Sequence, residues 1–233
     1  MVARRFFKLF RFLLLRVRLH GARNLQSRGP LILVSNHEGT YGPLSLITSL
    51  PLELYPWVVS ETTDARTAAR RIQAEFLEAE LHLRPPLSAW LARGIARIAA
   101  ALMRDINAVP VYQHSSRMRT TVERSVELLE QGKNILVFPE EPGRKLNDVL
   151  CHFYTGFVHL ARQYYESTRR AVLFLPVAVN RKVRGILVGK PVQFDASVPF
   201  SVEKARIKQE LEHRIYELYR SLEDEGRAAA GRA

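Results

Sequence analysis

The stretch LILVSNHEGTYG, residues 31–42, ends an apolar run with a polar pair. Residues 31–34 are all aliphatic, which is typical of a buried strand. Asn36 and His37 follow within three residues of that run. Ligands of open α/β sheets bind at the carboxyl ends of strands, so the position of His37 favours a functional site. A histidine at a strand end is also commonly structural, so the groups that surround His37 must decide between the two interpretations.

The rest of the chain alternates short apolar runs with longer amphipathic stretches. Strands are predicted at 31–35, 54–60, 107–112, 134–139, 171–179 and 186–194, and helices at 86–103, 116–131, 155–165 and 201–222. This alternation predicts an α/β fold, a mixed sheet covered by helices, with a basic amphipathic helix at the N-terminus. We expect an N-terminal membrane-interface helix at 1–28, one domain at 29–223 and a flexible tail at 224–233.

The composition limits the kinds of site. The chain has 233 residues, of which 47% are hydrophobic and 25% charged, as in one globular domain. Cys151 is the single cysteine, so an internal disulfide and a multi-cysteine zinc cluster are both excluded. We therefore predict a reducing compartment.

The net charge of +12 is concentrated near the N-terminus. Residues 1–30 contain eight arginines and lysines and no Asp or Glu. On a helical wheel the cations oppose an apolar arc, which is typical of a helix in a membrane interface. A core-packing helix with a solvated basic face is the alternative. The predicted membrane contacts are Arg4, Arg5, Phe6, Lys8, Phe10 and Arg11. The arginines interrupt the apolar run too often for a transmembrane span or a signal peptide.

A second polar loop follows the predicted strand at 134–139. The stretch FPEEPGRK, residues 138–145, offers Glu140, Glu141, Arg144 and Lys145. Arg and Lys side chains bind phosphate, and His37 can accept a proton near neutral pH. The two loops together indicate a base beside an anion site, although a charged turn is often only solvated.

The order of these blocks resembles the glycerolipid acyltransferases of the lysophosphatidic acid acyltransferase (PlsC-like) type, over nearly the whole chain. The similar stretches are His20-Gly21 through SNH, NAVPVYQ at 107–113, VFPEEPGRK at 137–145, FYTGFVHLA at 153–161, LPVAV at 175–179 and ILVGKPVQF at 186–194. The resemblance rests on the order and spacing of weak motifs rather than on any one of them.

The resemblance implies an enzyme of lipid metabolism and phospholipid biosynthesis. His37 would act as general base on an acceptor hydroxyl, which attacks the thioester of acyl-CoA or acyl carrier protein directly. The acceptor would be a lysophospholipid or related lipid, held by Asn36, Gln113, Glu140, Arg144 and Lys145. The acyl donor is a co-substrate, and the resemblance implies neither a cofactor nor a metal. The chain would act at the cytoplasmic side of a membrane, as a peripheral or monotopic protein.

The chain departs from the family at the residues that orient the base. The family places an Asp five residues after the histidine, where this chain has Gly42. Three explanations are open. Another carboxylate serves His37, the candidates being Glu38, Glu61, Glu140 and Glu141; or the acceptor lacks a glycerol phosphate; or the chain is a catalytically impaired relative that binds lipid or acyl donor without turnover. The change Gly42→Asp would raise the rate if the local backbone tolerates a side chain.

Other functions suit the residues less well. A nucleic-acid-binding protein is compatible with the net charge, but the cations cluster in an apolar helix and no nucleic-acid module is recognised. No nucleic-acid partner is therefore expected. Trp90 and Leu102 are predicted to pack in the core rather than to flank an acyl-chain tunnel. Arg93, Arg97 and Arg104 share a helical face that would suit an acyl donor or only solvent.

Overall fold

A computed structural model describes residues 17–26, 29–39, 41–60, 69, 73, 82–94, 106–112 and 116–230. Residues 1–16 of the predicted N-terminal helix, with its membrane contacts (Arg4, Arg5, Phe6, Lys8, Phe10 and Arg11), lie outside these residues, as do Glu61, Arg97, Leu102, Arg104 and Gln113. Within the described residues, no helix is long and apolar enough to span a membrane.

The fold is α/β, as predicted, with a mostly parallel sheet flanked by helices. The strands are β1 (Arg18–His20), β2 (Leu31–Ser35), β3 (Leu54–Val59), β4 (Val109–Val111), β5 (Asn134–Val137), β6 (Glu140–Lys145), β7 (Cys151–Phe153), β8 (Leu173–Asn180), β9 (Gly185–Val188) and β10 (Val192–Gln193). The main sheet has the order β1-β9-β8-β2-β5-β3-β4, with β10 also paired to β8. Only the β8–β9 and β8–β10 pairings are antiparallel in the described part of this sheet. Strands β6 and β7 form a separate antiparallel hairpin.

The helices are α1 (Tyr41–Ser49), α2 (Met118–Glu130), α3 (Val158–Thr168) and α4 (Phe200–Ala230). Ala22–Leu25 forms a 3-10 turn, and residues 87–94 are also helical. Helix α1 was not predicted, because the Gly-Pro at 42–43 reads as a turn. Its start lies four residues after His37, so the site is built on a strand-to-helix connection.

Strand β2 lies at the centre of the sheet and is buried on both faces. Ile32 and Val34 belong to the larger core, which contains Ile207 and Leu211 of α4. Leu31 and Leu33 belong to the core on the other face, which contains Leu46 of α1. Burial on both faces explains why the run at 31–34 is continuously apolar rather than alternating.

Four sequence predictions need correction. Residues 18–20 form a strand rather than the end of the predicted helix, and β1 pairs in parallel with β9. The strand predicted at 186–194 is two strands, because the chain leaves the ladder at 189–191. Residues 224–230 continue α4 where we expected a tail. Trp90, predicted to be in the core, is 70% exposed.

Gly21 explains how β1 passes close to β9. Its φ is +73°, a conformation that L side chains rarely adopt. A Cβ at this position would lie 2.2 Å from the carbonyl oxygen of Val188. The glycine that follows His20 therefore serves chain packing, and β1 can pair along its neighbour only because residue 21 has no side chain.

Candidate active site

Asn36 attaches the end of β2 to β8. Its Nδ2 donates to the carbonyl oxygen of Val179 at 2.8 Å, and its Oδ1 accepts from the N–H of Val179 at 2.8 Å. The side chain is 2% exposed. Asn36 also contributes to the wall of the cavity beside His37. These contacts give Asn36 a positioning role for the residue that follows it.

Glu140 holds His37 from the neighbouring hairpin. Its Oε1 accepts from the backbone N–H of His37 at 2.8 Å, and its Oε2 accepts from the backbone N–H of Cys151 at 2.8 Å. The carboxylate therefore joins the end of β2 to both strands of the hairpin. Hydrogen bonds from backbone amides to a carboxylate are stronger than those between neutral groups, so this connection fixes the backbone of His37 firmly.

His37 is solvent-accessible at the edge of the cavity, yet its ring is partly desolvated by neighbouring groups and is electrically coupled to Glu140. Burial lowers the pKa of His37 below its ordinary value, because desolvation penalises the imidazolium form. The Glu140 carboxylate and a hydrogen bond with the Gly39 backbone both act in the opposite direction on this pKa. The ring of Phe138 contacts the imidazole edge to face, with 5.2 Å between centroids. The imidazole of His37 is thus neutral near pH 7, beside a carboxylate that stabilises its charged form.

Glu38 contacts helix α4 while it also lines the cavity beside His37. Its backbone has a φ of +45°, and that of Gly39 is +59°. Its carboxylate forms a hydrogen bond with the hydroxyl of Tyr219, a buried residue of α4. Burial, followed by the charge and hydrogen bond of Glu38, raises the pKa of Tyr219 well above its usual value. The hydrogen bond between Glu38 and Tyr219 therefore stabilises the left-handed turn at 38–39 against helix α4.

Gly42 lies against the backbone of His37. A Cβ at residue 42 would be 2.1 Å from the carbonyl oxygen of His37 and 2.9 Å from its carbonyl carbon. Backbone atoms cannot yield as the end of a flexible side chain can, so the loop has no room for any side chain here. The backbone at residue 42 therefore does not tolerate a side chain, and Gly42→Asp is no longer expected to raise the rate.

Two cavities meet at Phe138. The first, of about 490 Å³, is lined by His37, Glu38, Glu140 and Pro142 among others, and is half polar in character. The second, of about 290 Å³, is mainly apolar and includes Trp57. The base thus opens onto a polar space that adjoins an apolar one.

The predicted anion ligands lie at the surface of the hairpin. Arg144 is 66% exposed, and its Nη1 contacts Glu141 Oε2 at 3.2 Å. Lys145 is also exposed, at the end of β6. Neither lines the cavity that holds His37, although Pro142 of the same strand does. Glu141, a candidate partner of the base, is paired with Arg144 instead.

Helix α4 supports the site at two places that sequence patterns do not predict. Besides the contact of Tyr219 with Glu38, Arg220 forms a close ion pair with Asp148, and its Nη1 lies 2.6 Å from Glu223 Oε2. Asp148 directly precedes Val149, which lines the polar cavity. Such contacts link residues far apart in the chain, so local patterns do not reveal them.

The described residues contain no cluster of three or more His, Cys, Asp or Glu side chains suited to a metal ion. What the site does contain is an imidazole at the end of a central parallel strand, a carboxylate that accepts from the backbone N–H of the same residue, and two joined cavities. The fold and site therefore define an α/β protein with a polar pocket at the carboxyl end of its central strand.

Comparisons with known proteins identify the type of domain. A family model described as Acyltransferase matches residues 76–180. That range includes the blocks at 107–113, 137–145 and 175–179, and it begins after Asn36 and His37. The crystal structure of the 1-acyl-sn-glycerophosphate (LPA) acyltransferase PlsC from Thermotoga maritima is similar, with a TM-score of 0.54 and 19% identity. The similarity covers 95% of this chain and 77% of that one. A search of curated proteins finds no match.

Residues 76–180 thus match an acyltransferase family model, and the fold of the chain is similar to that of PlsC. The resemblance indicated by the sequence motifs is thereby confirmed.

Proposed function

We propose that the protein transfers a fatty acyl group from acyl-CoA or acyl carrier protein to a hydroxyl of a lysophospholipid or related lipid, with His37 as general base. The observation that carries the proposal is the His37–Glu140 arrangement. A neutral imidazole faces a polar cavity, and a carboxylate fixes its backbone and favours its charged form. The acyltransferase family match and the similar PlsC structure support the same class of reaction.

The reaction proceeds in two proton transfers. The imidazole of His37 removes the proton of the acceptor hydroxyl as its oxygen attacks the thioester carbonyl carbon. The tetrahedral intermediate then collapses, the carbon–sulfur bond breaks, and the imidazolium returns its proton to the leaving thiolate. Glu140 stabilises the imidazolium between these steps, because its negative charge lies close to the ring. General base catalysis of this kind contributes roughly 10²–10⁴-fold.

In this proposal the missing Asp is replaced by two interactions. The backbone of Gly39 forms a hydrogen bond with the imidazole and so orients the ring, and Glu140 supplies the negative charge. Of the four candidate carboxylates, Glu38 binds Tyr219 and Glu141 binds Arg144, and Glu61 lies outside the described residues. Glu140 is therefore the carboxylate that serves His37.

The lipid acceptor would occupy the polar cavity with its hydroxyl toward His37, and an acyl chain would occupy the apolar cavity beside Phe138. Exposed Arg144 and Lys145 would attract the phosphate of the acceptor from the rim of the hairpin. Asn36 would position the base, and Gln113 stays a proposed acceptor ligand from the resemblance alone. The basic segment 1–28 would hold the protein at the cytoplasmic face of a membrane.

The test is acceptor-dependent thiol release from acyl-CoA and from acyl carrier protein, across a panel of lysophospholipids and other hydroxyl lipids. Wild type is compared with His37→Ala, and with His159→Ala as a matched control. His159 is also partly buried, but it packs on Phe200 at the start of α4. Release that disappears in His37→Ala and persists in His159→Ala supports the proposal. Equal release in wild type and His37→Ala contradicts it.

The alternative function is a lipid-binding or donor-binding relative without turnover. The close approach of Gly42 to His37 favours it, because the loop no longer has space for the side chain that the family uses. The alternative predicts that folded wild-type protein binds lysophospholipid or acyl-CoA, measured by calorimetry, and releases no thiol with any acceptor of the panel.

A further inference from the structure

Helical residues 87–94 carry large apolar side chains on the outside. Trp90 is 70% exposed and Leu87, one turn before it, is 52% exposed. The opposite side is formed by Ser88 and Ala92, both fully buried. At 3.6 residues per turn, 87 and 90 fall on one arc, and 88 and 92 on the other. The helix thus faces the protein with small side chains and faces outward with its largest apolar ones, the reverse of an ordinary surface helix.

The charged residues within segment 82–94 have a single sign. Residues 82–94 contain Arg84 and Arg93 and no Asp or Glu, and no acidic residue follows before Asp105. Arg84 and Arg93 are both exposed, and Arg93 lies one turn after Trp90 on the same arc. A face that combines an exposed indole, an exposed leucine and arginines without carboxylates complements a surface that is both apolar and anionic.

We propose that the face formed by Arg84, Leu87, Trp90 and Arg93 docks the domain on an anionic lipid bilayer. Trp90 and Leu87 would enter the region between head groups and acyl chains, where tryptophan is favoured because its ring is apolar and its N–H is polar. The two guanidinium groups would contact lipid phosphates. This contact is separate from the basic segment 1–28. It deepens the proposed function, since a lipid acceptor lies in a bilayer, but its test needs no turnover.

The first experiment locates Trp90 directly. The full chain is mixed with phosphatidylglycerol vesicles that contain brominated phosphatidylcholine, which quenches tryptophan fluorescence in the hydrocarbon region. Wild type is compared with Trp90→Phe, which keeps an apolar ring. The other tryptophan, Trp57, is half-buried, and its Nε1 donates to Ser125 Oγ at 2.8 Å, so it is held inside the domain. We expect strong quenching in wild type and little in Trp90→Phe.

The second experiment measures partitioning onto anionic vesicles by sedimentation. Each of Arg84→Ala and Arg93→Ala is expected to weaken binding about fivefold, because a cation near such a surface contributes about 1 kcal/mol. Exposed Arg181 and Val202 lie on other elements. The changes Arg181→Ala and Val202→Ala are therefore matched controls and should leave binding unchanged.

Three results would overturn the proposal. They are equal quenching in wild type and Trp90→Phe, vesicle-bound protein without quenching, and control variants that weaken binding as much as Arg84→Ala and Arg93→Ala do. The second result would mean that other residues contact the membrane and that this face binds a protein partner instead. Thiol release without quenching would refute only the docking proposal. Quenching without thiol release would support the docking proposal and contradict the enzymatic one.

Discussion

Placing a side chain at Gly42 should damage the protein rather than repair it. A Cβ would lie 2.1 Å from the carbonyl oxygen of His37, and real contacts of this kind are at least 3.0 Å. The backbone of His37 must therefore move by about 0.9 Å. The hydrogen bonds of Asn36 with Val179 and of His37 with Glu140 hold the backbone in place immediately before the displaced carbonyl.

The cost has two parts. Overpacking a rigid site costs about 1–3 kcal/mol. If the shift also breaks the hydrogen bond from the His37 amide, an unsatisfied amide and carboxylate add about 1–3 kcal/mol. We expect Gly42→Ala to lose at least about 2 kcal/mol of unfolding free energy, which lowers Tm by about 4–8 °C in a chain of this size. Gly42→Asp should lose at least as much and should abolish thiol release.

Thermal and urea unfolding, followed by circular dichroism, measure the loss. Gly94→Ala is the matched control, because a Cβ there meets nothing within 4 Å and helical residues favour alanine. Its Tm should be unchanged or slightly higher. A Gly42→Ala variant with the stability of wild type, or a Gly42→Asp variant that releases thiol faster, would refute the steric argument.

Four further predictions concern the base and its supports. Desolvation lowers the pKa of His37, so the thiol-release rate should be constant from pH 8 down to about 6.5 and should fall at lower pH. A decline centred above pH 7 would contradict a base that is neutral at pH 7. The same lowered pKa means that the unfolded chain binds protons more readily, so stability in urea should fall as pH drops below about 6.5. The change Glu140→Gln leaves one backbone amide facing an NH₂ group and removes the charge near His37, so we expect about 10²-fold slower thiol release and a lower kinetic pKa. An unshifted pH profile would show that Glu140 does not take part in the mechanism. Tyr219→Phe should lower Tm by about 2–4 °C by depriving Glu38 of its partner, whereas Tyr165→Phe in α3 should not; equal Tm values for Tyr219→Phe and wild type would contradict the brace.

The central sheet could be read from the sequence because its strands are buried on both faces. The run at 31–34 is uniformly aliphatic for that reason, and the runs that became β5 and β8 have the same character. The ends of the sheet were harder to predict. Residues 18–20 alternate basic and apolar side chains beside an amphipathic stretch, and only pairing with β9 decides that they form a strand. Tertiary contact overrides local pattern at such edges.

The site was predictable as a pair of loops but not as a set of contacts. Neighbouring parallel strands end at one edge of a sheet, so His37 after β2 and Glu140 after β5 were expected to lie close together. The atoms involved could not be foreseen, since Glu140 binds the backbone of His37 rather than acting only on substrate. The contact of Glu38 with Tyr219 spans most of the chain, and a left-handed glutamate leaves no pattern in the sequence.

Asn36 has a consequence for where the sheet ends. Its side chain offers one donor and one acceptor to a single residue of β8, as a peptide group does in a ladder. The hydrogen bonding between β2 and β8 therefore continues beyond the last backbone pair, because the amide side chain of Asn36 takes the place of a peptide group. Aspartate has the same shape but lacks the donor, so it would place two acceptors face to face. The position of His37, the next residue, is therefore set by the sheet, and its backbone is less free to move than that of an ordinary loop residue.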